Sequence, residues 1–220
     1  MVQSKNIRTA TESYVDSKVA GGGSSSASVS YFTGVVTPPV GMYLTSPGIY
    51  NFGGDGVTNK QVRFVPIWVP TLMTIDAFRI RIIDSASGGN PIYRIGLFNS
   101  NSHGLPDCSM APLGVANISL STNTSNSGSD FLANKDMVLQ PGLYWIGDHY
   151  KYTVSPTSGP SFMSYKETVT AFPTDAYMDI NLRGKSLIIN DQDDFPTNNS
   201  YSLGLNTNNA NPYIILRRKA

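Results

Sequence analysis

One cysteine in 220 residues, Cys108, cannot close an intrachain disulfide, so stability has to come from buried area and subunit contacts. The two histidines, His103 and His149, fall in unrelated segments, and with a single cysteine they fall short of the usual zinc ligand sets. Neither sits beside Cys108 or a serine in a nucleophile motif. Charge is scarce as well. Lys, Arg, Asp and Glu make up 14% of the chain, against roughly 25% in an ordinary soluble domain. The net charge is +1 and Arg217-Arg218-Lys219 is the longest basic run, which gives nothing to grip a phosphate backbone and predicts no nucleic-acid partner. Apolar runs stay far short of the ~20 residues of a membrane span, so no membrane insertion is expected. Met1-Val2-Gln3-Ser4-Lys5-Asn6 lacks the apolar centre of a secretory signal, which predicts synthesis in a cytoplasm. The triplets at Asn117, Asn123 and Asn198 therefore read as the by-product of an Asn/Ser-rich composition, not as glycan acceptors. There is no Gly-rich phosphate loop, and no fixed-period repeat of the kind that builds a propeller or β-helix.

What the chain does have is short, aromatic, alternating runs separated by turn residues. Leu139-Gln140-Pro141-Gly142-Leu143-Tyr144-Trp145-Ile146-Gly147 is the most informative. Pro141-Gly142 predicts a type II turn, since proline presets φ at the first central position and glycine accepts positive φ at the second. Beyond it, Leu143, Trp145 and Gly147 share one face while Tyr144 and Ile146 share the other, so both faces are apolar enough for a central strand. Val62 and Phe64 likewise oppose Val65, Ile67 and Val69, and Pro66 predicts a bulge or an edge position because it donates nothing to a ladder. In Ile75-Asp76-Ala77-Phe78-Arg79-Ile80-Arg81-Ile82-Ile83, Phe78, Ile80 and Ile82 point inward and Arg79 and Arg81 outward. After a turn at 87–91, Ile92-Tyr93-Arg94-Ile95-Gly96-Leu97-Phe98 reads as its antiparallel partner. Further strands are expected at 31–33, 42–44, 115–120, 177–182, 186–189 and 213–216, with Gly53-Gly54-Asp55-Gly56 as a turn. Strands joined by loops and not by helices predict an all-β protein, an antiparallel β-sandwich of jelly-roll type, over 31–220.

The N-terminal stretch differs. Thr9-Ala10-Thr11-Glu12 fits a capping box, and Ala10, Tyr14, Val15 and Val19 form a narrow apolar stripe on a helix reaching to about Val19. A helix of ~10 residues is marginal alone in water. Copies of itself are the nearest partners, so 1–20 is expected to be a trimerising tether with Ala10, Tyr14, Val15 and Val19 at the shared axis. Residues 21–30, rich in Gly and Ser, form a flexible linker to the body.

Two resemblances follow from these residues. Ala10-Thr11-Glu12-Ser13-Tyr14-Val15-Asp16-Ser17-Lys18-Val19 with its Gly/Ser tract resembles the tether that precedes the globular tip in many tailed-bacteriophage fibre proteins. The order Val65-Pro66-Ile67-Trp68-Val69-Pro70, Arg94-Ile95-Gly96-Leu97-Phe98-Asn99, Gly104-Leu105-Pro106, Gln140-Pro141-Gly142-Leu143-Tyr144-Trp145 is similar to jelly-roll tips of phage structural proteins. The resemblance implies a homotrimeric virion protein, a tail or head fibre or a capsid decoration. It would be bound to other virion proteins through its N-terminus and would touch a host surface, with host glycan as a candidate, through its distal domain. Only ~30 residues precede the first strand, which points to a short fibre or decoration.

No catalytic grouping, metal site or cofactor is expected. Asp191-Gln192-Asp193-Asp194 starts like a calcium loop but lacks its glycine and distal glutamate. A second reading is a monomeric carbohydrate-binding module, with Tyr150, Tyr152, Tyr165 and Tyr201 as ligand-facing aromatics among polar neighbours. A third, a polysaccharide depolymerase, needs a carboxylate pair that the sequence does not single out.

Overall fold

A computed structural model of the chain describes residues 39–44, 50–84, 91–120, 130–156, 159–167, 186–200, 202–205 and 211–220, and all of these lie in the compact unit Gly34–Ala220. The expected N-terminal helix with Ala10, Tyr14, Val15 and Val19, the linker, and the candidate strands at 31–33 and 177–182 lie outside the described residues. Among the described residues every regular element is a strand, and no helix is long and apolar enough to cross a membrane.

The strands are β1 (Tyr43–Leu44), β2 (Tyr50–Gly56), β3 (Gln61–Val69), β4 (Met73–Asp84), β5 (Ile92–Asn99), β6 (Gly114–Ser119), β7 (Asp130–Leu139), β8 (Gly142–Lys151), β9 (Ser161–Glu167), β10 (Leu187–Ile189), β11 (Gly204–Leu205), β12 (Asn211–Pro212) and β13 (Ile214–Arg218). Four antiparallel pairs, β2 with β9, β3 with β8, β4 with β7 and β5 with β6, describe one long hairpin ribbon. Two further pairings, β4 with β9 and β5 with β8, roll that ribbon onto itself. The result is two facing sheets, β2-β9-β4-β7 and β3-β8-β5-β6, which is the jelly-roll topology. β13 runs along β4 with β1 outside it, β12 pairs with β9, and β10 and β11 extend the second sheet beyond β3.

This winding corrects one expectation. β4 and β5 are not a hairpin; they stand in opposite sheets. Alternation reports which face of a strand is buried and is silent about the neighbour, and the two strands bury their apolar sides toward each other across the core. The glycine-rich stretch 53–56 also differs from the expected turn. It is the end of β2, held in register by backbone pairing with β9. Pro66 lies opposite Trp145 in an unbroken β3/β8 register, and β10 reaches only Val62, Arg63 and Phe64, so the proline occupies an edge and not a bulge. Finally, Gly142 has φ +158°, far from the ~+80° of a type II turn. Gln140 and Pro141 carry the chain from one sheet to the other, and the Tyr144 hydroxyl donates to the Gln140 carbonyl at 3.0 Å across that corner.

β4 shifts its inward set from Met73 and Ile75 to Phe78, Ile80 and Ile82, an offset of three where strict alternation gives two. The register with β7 slips between Ile75 and Ala77, which marks a bulge. There Arg217 holds Asp76 with two bonds, 2.7 Å and 3.1 Å.

Two apolar clusters result. One fills the space between the sheets and includes Ile67, Phe78, Ile80, Ile95, Leu97, Ile146 and Phe162. The other lies on the outer face of the second sheet, where Val62, Phe64, Phe98 and Trp145, flanked by Leu187 and Ile189 of β10, pack with Cys108 and Phe195. The tryptophan strand is therefore buried on both faces, as its sequence predicts. Gly147, paired with Gly96 across β8 and β5, leaves the hollow that the rings need: a Cβ at Gly147 would stand 2.7 Å from the Phe98 ring. Phe98 meets Phe64 and Phe195 edge-on, each with centroids 5.2 Å apart.

Candidate functional site

The outer cover of the second sheet is built from two segments. In the loop after β5, Asn101 accepts the amides of His103 and Leu105 on its side chain, and Gly104 takes φ +75°, a conformation that favours glycine. The Trp145 indole donates to the Gly104 carbonyl at 3.1 Å. Asn199 joins this loop to the chain after β10, accepting from the Cys108 amide at 2.8 Å and donating to Asp107 at 3.0 Å. The second segment, 190–195, crosses over β3 and β8. Gln192 donates its amide to the Lys60 carbonyl, and its own carbonyl, at 2.9 Å, accepts from Nε2 of His149.

Where this segment passes the end of β5 and β6, a cleft opens. β5 and β6 place Arg94 opposite Asn117, and Arg94 Nε donates to Asn117 Oδ1 at 2.9 Å. Arg94 also pairs with Asp194. This bar of polar groups is shared by two hollows. One, of about 600 Å³, has largely apolar walls that include Met110, Pro112, Val115 and Phe195. The other, of about 450 Å³, is lined by Ile92, Lys151, Tyr152 and Asp193. Asp193 is held by Lys60 at 3.0 Å and Lys151 at 3.2 Å.

The electrostatics favour ionised carboxylates. Hydrogen bonds from Lys60 and Lys151 keep Asp193 below the usual carboxylate range. Partial burial pushes Asp194 upward, but the bond from Arg94, the Phe195 amide and the nearby charges outweigh it, and its pKa is also lowered. Under the 190–195 segment, which straps over β3 and β8, burial, aided by the Arg94 charge, lowers the pKa of His149 more than the Gln192 carbonyl, Asp194 and Asp148 raise it. Its ring is neutral at pH 7, and Nδ1 is buried without a hydrogen-bond partner. A site of this kind presents acceptors and paired cations on a partly apolar floor; it suits holding a polar ligand more than donating a proton to one.

A second polar group lies inside the sandwich. Arg63 and Asp148, 4% and 2% exposed, are joined at 2.8 Å, and the Tyr93 hydroxyl donates to the same carboxylate oxygen at 3.0 Å. Tyr93 stacks on Phe162 of the opposite sheet with centroids 4.3 Å apart. Burial first, then the Asp148 charge, raise the tyrosine pKa well above its ordinary value. A third hollow, about 330 Å³, lies on the outer face of the first sheet, where Arg79 stands over the Tyr43 ring and pairs with Asp130 at 2.6 Å.

Of the four tyrosines expected to face a ligand, Tyr152 lines the cleft. Tyr150 is a core residue, 2% exposed; burial raises its pKa to about 12 and Tyr152 meets it edge-on at 5.7 Å. The Tyr165 side chain and Tyr201 lie outside the described residues. Arg94, Asn117 and Asp194 carry no individual signal in the sequence beyond a charge on the outward face of a strand and an acidic turn. The roll of the ribbon brings them together. Among the described residues no group of three or more His, Cys, Asp or Glu is placed to hold a metal. Comparison with protein families, with curated proteins and with solved structures finds no match to this chain.

Proposed function

We propose that the chain is a structural protein of a bacteriophage virion. In this reading it is a short homotrimeric fibre, docked through its N-terminal segment on other virion proteins, that displays its jelly roll outward for host-surface attachment or as a capsid or tail decoration. It is made in the host cytoplasm and works without catalysis. The observation that carries the reading is the order of parts: a capped apolar stripe at 9–19, a Gly/Ser tract, then a jelly roll. The weakly charged surface and the ionised carboxylates of the cleft agree with a binding role. Sedimentation of the purified chain at micromolar concentration is expected to give a trimer, and antibody labelling is expected to place the chain on particles. A monomer that is absent from particles overturns the proposal.

The cleft beside Tyr152 favours a second reading, a monomeric carbohydrate-binding module. The same sedimentation run separates the two.

A further inference from the structure

On the outer face of the first sheet, the hollow of about 330 Å³ has a charge pattern that the strand register alone does not give. β4 and β7 place Asp130 directly opposite Arg81, yet its carboxylate reaches diagonally to Arg79 at 2.6 Å. Arg79 is held a second time, its guanidinium 4.9 Å from the centre of the Tyr43 ring. Arg81 is exposed and, among the described residues, has no ion-pair partner. The two arginines stand two positions apart on one strand and so share its outward face. Two guanidinium charges against one carboxylate leave a surplus of one positive charge in the lining of the hollow, which Tyr43, Tyr213, Met163 and Ile215 help to complete.

That count selects the ligand. One unmatched guanidinium balances one carboxylate, whose two oxygens fit its planar fork. A phosphomonoester, at roughly −1.5 to −2 near pH 7, would leave negative charge beside Asp130. A purely apolar acid would cover the Asp130 carboxylate, 35% exposed, without replacing the hydrogen bonds it takes from water. A hydroxylated ring replaces them and still lays C–H surface against the Met163 and Ile215 side of the hollow, whose volume holds about one such ring. We propose that this hollow binds an acidic sugar, a pyranose with a single carboxylate, the carboxylate on Arg81 and a ring hydroxyl donating to Asp130. The inference rests on the proposed function in one respect, that the domain is displayed where it meets surface glycan.

Titration of the full chain with glucuronate, followed by saturation-transfer NMR of the sugar, tests it. Saturable binding with Kd on the order of 1 mM is expected, and glucose, acetate and glucose 6-phosphate should each bind at least about tenfold more weakly. Arg81→Gln removes an exposed, unpaired charge, so it should weaken glucuronate binding at least about tenfold while leaving the melting curve unchanged. Lys151→Gln lowers the net charge by the same amount on the other sheet and should bind as the wild type does. No saturable binding overturns the proposal, as does glucose, acetate or the phosphate ester binding as tightly as glucuronate. Wild-type affinity in Arg81→Gln, or an equal loss in Lys151→Gln, overturns it as well. A chain that trimerises and labels particles yet ignores glucuronate overturns this inference alone and leaves the virion reading standing.

Discussion

Single residues decide how the two faces of the second sheet are filled. Gly147 is one, because the Phe64 and Phe98 rings occupy the space of its missing side chain. Gly147→Ala is expected to destabilise by about 1–3 kcal/mol through overpacking, seen as a lower urea midpoint with an unchanged slope. On the inner face the decisive residue is Asp148. Its removal leaves Arg63 charged and buried beside Tyr93, and breaking a buried pair from one side costs about 3–5 kcal/mol. Asp148→Ala should approach that loss. The double replacement Arg63→Met with Asp148→Leu should recover much of it, because the buried pair is then removed from both sides. If the double variant is as unstable as the single one, the pair contributes by its shape and not through its charge.

At the scale of elements, the 190–195 strap is the part whose behaviour depends on pH. His149 has its pKa lowered in the folded chain, so the unfolded chain takes up a proton first. Stability contributed by the neutral ring is full above the unfolded value, about 6.5, and is lost as pH falls below it toward the folded value. The groups acting on it are Arg94 on β5, Asp148 on β8 and Asp194 on the strap. The melting temperature is expected to fall as pH drops below about 6.5, and His149→Gln, which keeps a donor for the Gln192 carbonyl, should flatten that slope. Cys108 reports the same cover from the other side. It belongs to the loop after β5, its side chain is fully buried, and a thiol reagent reaches it only when the cover lifts. Phe195→Ala removes the ring that packs against Phe98 and should speed labelling at least about tenfold. The elements also show where the sequence was legible. β3, β4, β5 and β8 announce themselves because alternating apolar residues must be buried. Most of β7 and all of β9 do not: Asp130, Asn134, Lys135 and Asp136 are exposed on β7, and Ser161, Ser164 and Lys166 break the apolar pattern of β9. Such strands are held by backbone pairing with β4 and β2, which leaves little trace in side-chain periodicity. The cleft was hidden for a related reason. Arg94 and Asp194 are a hundred positions apart in the chain, and only the path of the strap over β8 joins them.

At the scale of the whole molecule, the proposal divides labour between a tether that assembles and a body that folds by itself. The body has the means to do so. Its two clusters are completed by residues from β1 to β13, and its ribbon pairings join described strands to one another. In that proposal the tether lacks them, because a capped stripe of Ala10, Tyr14, Val15 and Val19 would offer too little area for a lone helix. If three copies share that stripe, replacing Tyr14 and Val15 with Asp puts several like charges into a small apolar seam. Each unpaired buried charge costs several kcal/mol, more than a helix of this length can offset, so the seam opens. In the same proposal the Gly/Ser tract, as a flexible linker, would keep that failure from reaching the jelly roll. Tyr14→Asp with Val15→Asp is therefore expected to keep the β-type circular dichroism and the melting curve of the body while losing the trimer in sedimentation and the label on particles. A double variant that still assembles would move both trimerisation and attachment into the jelly roll, whose first sheet then becomes the face to search.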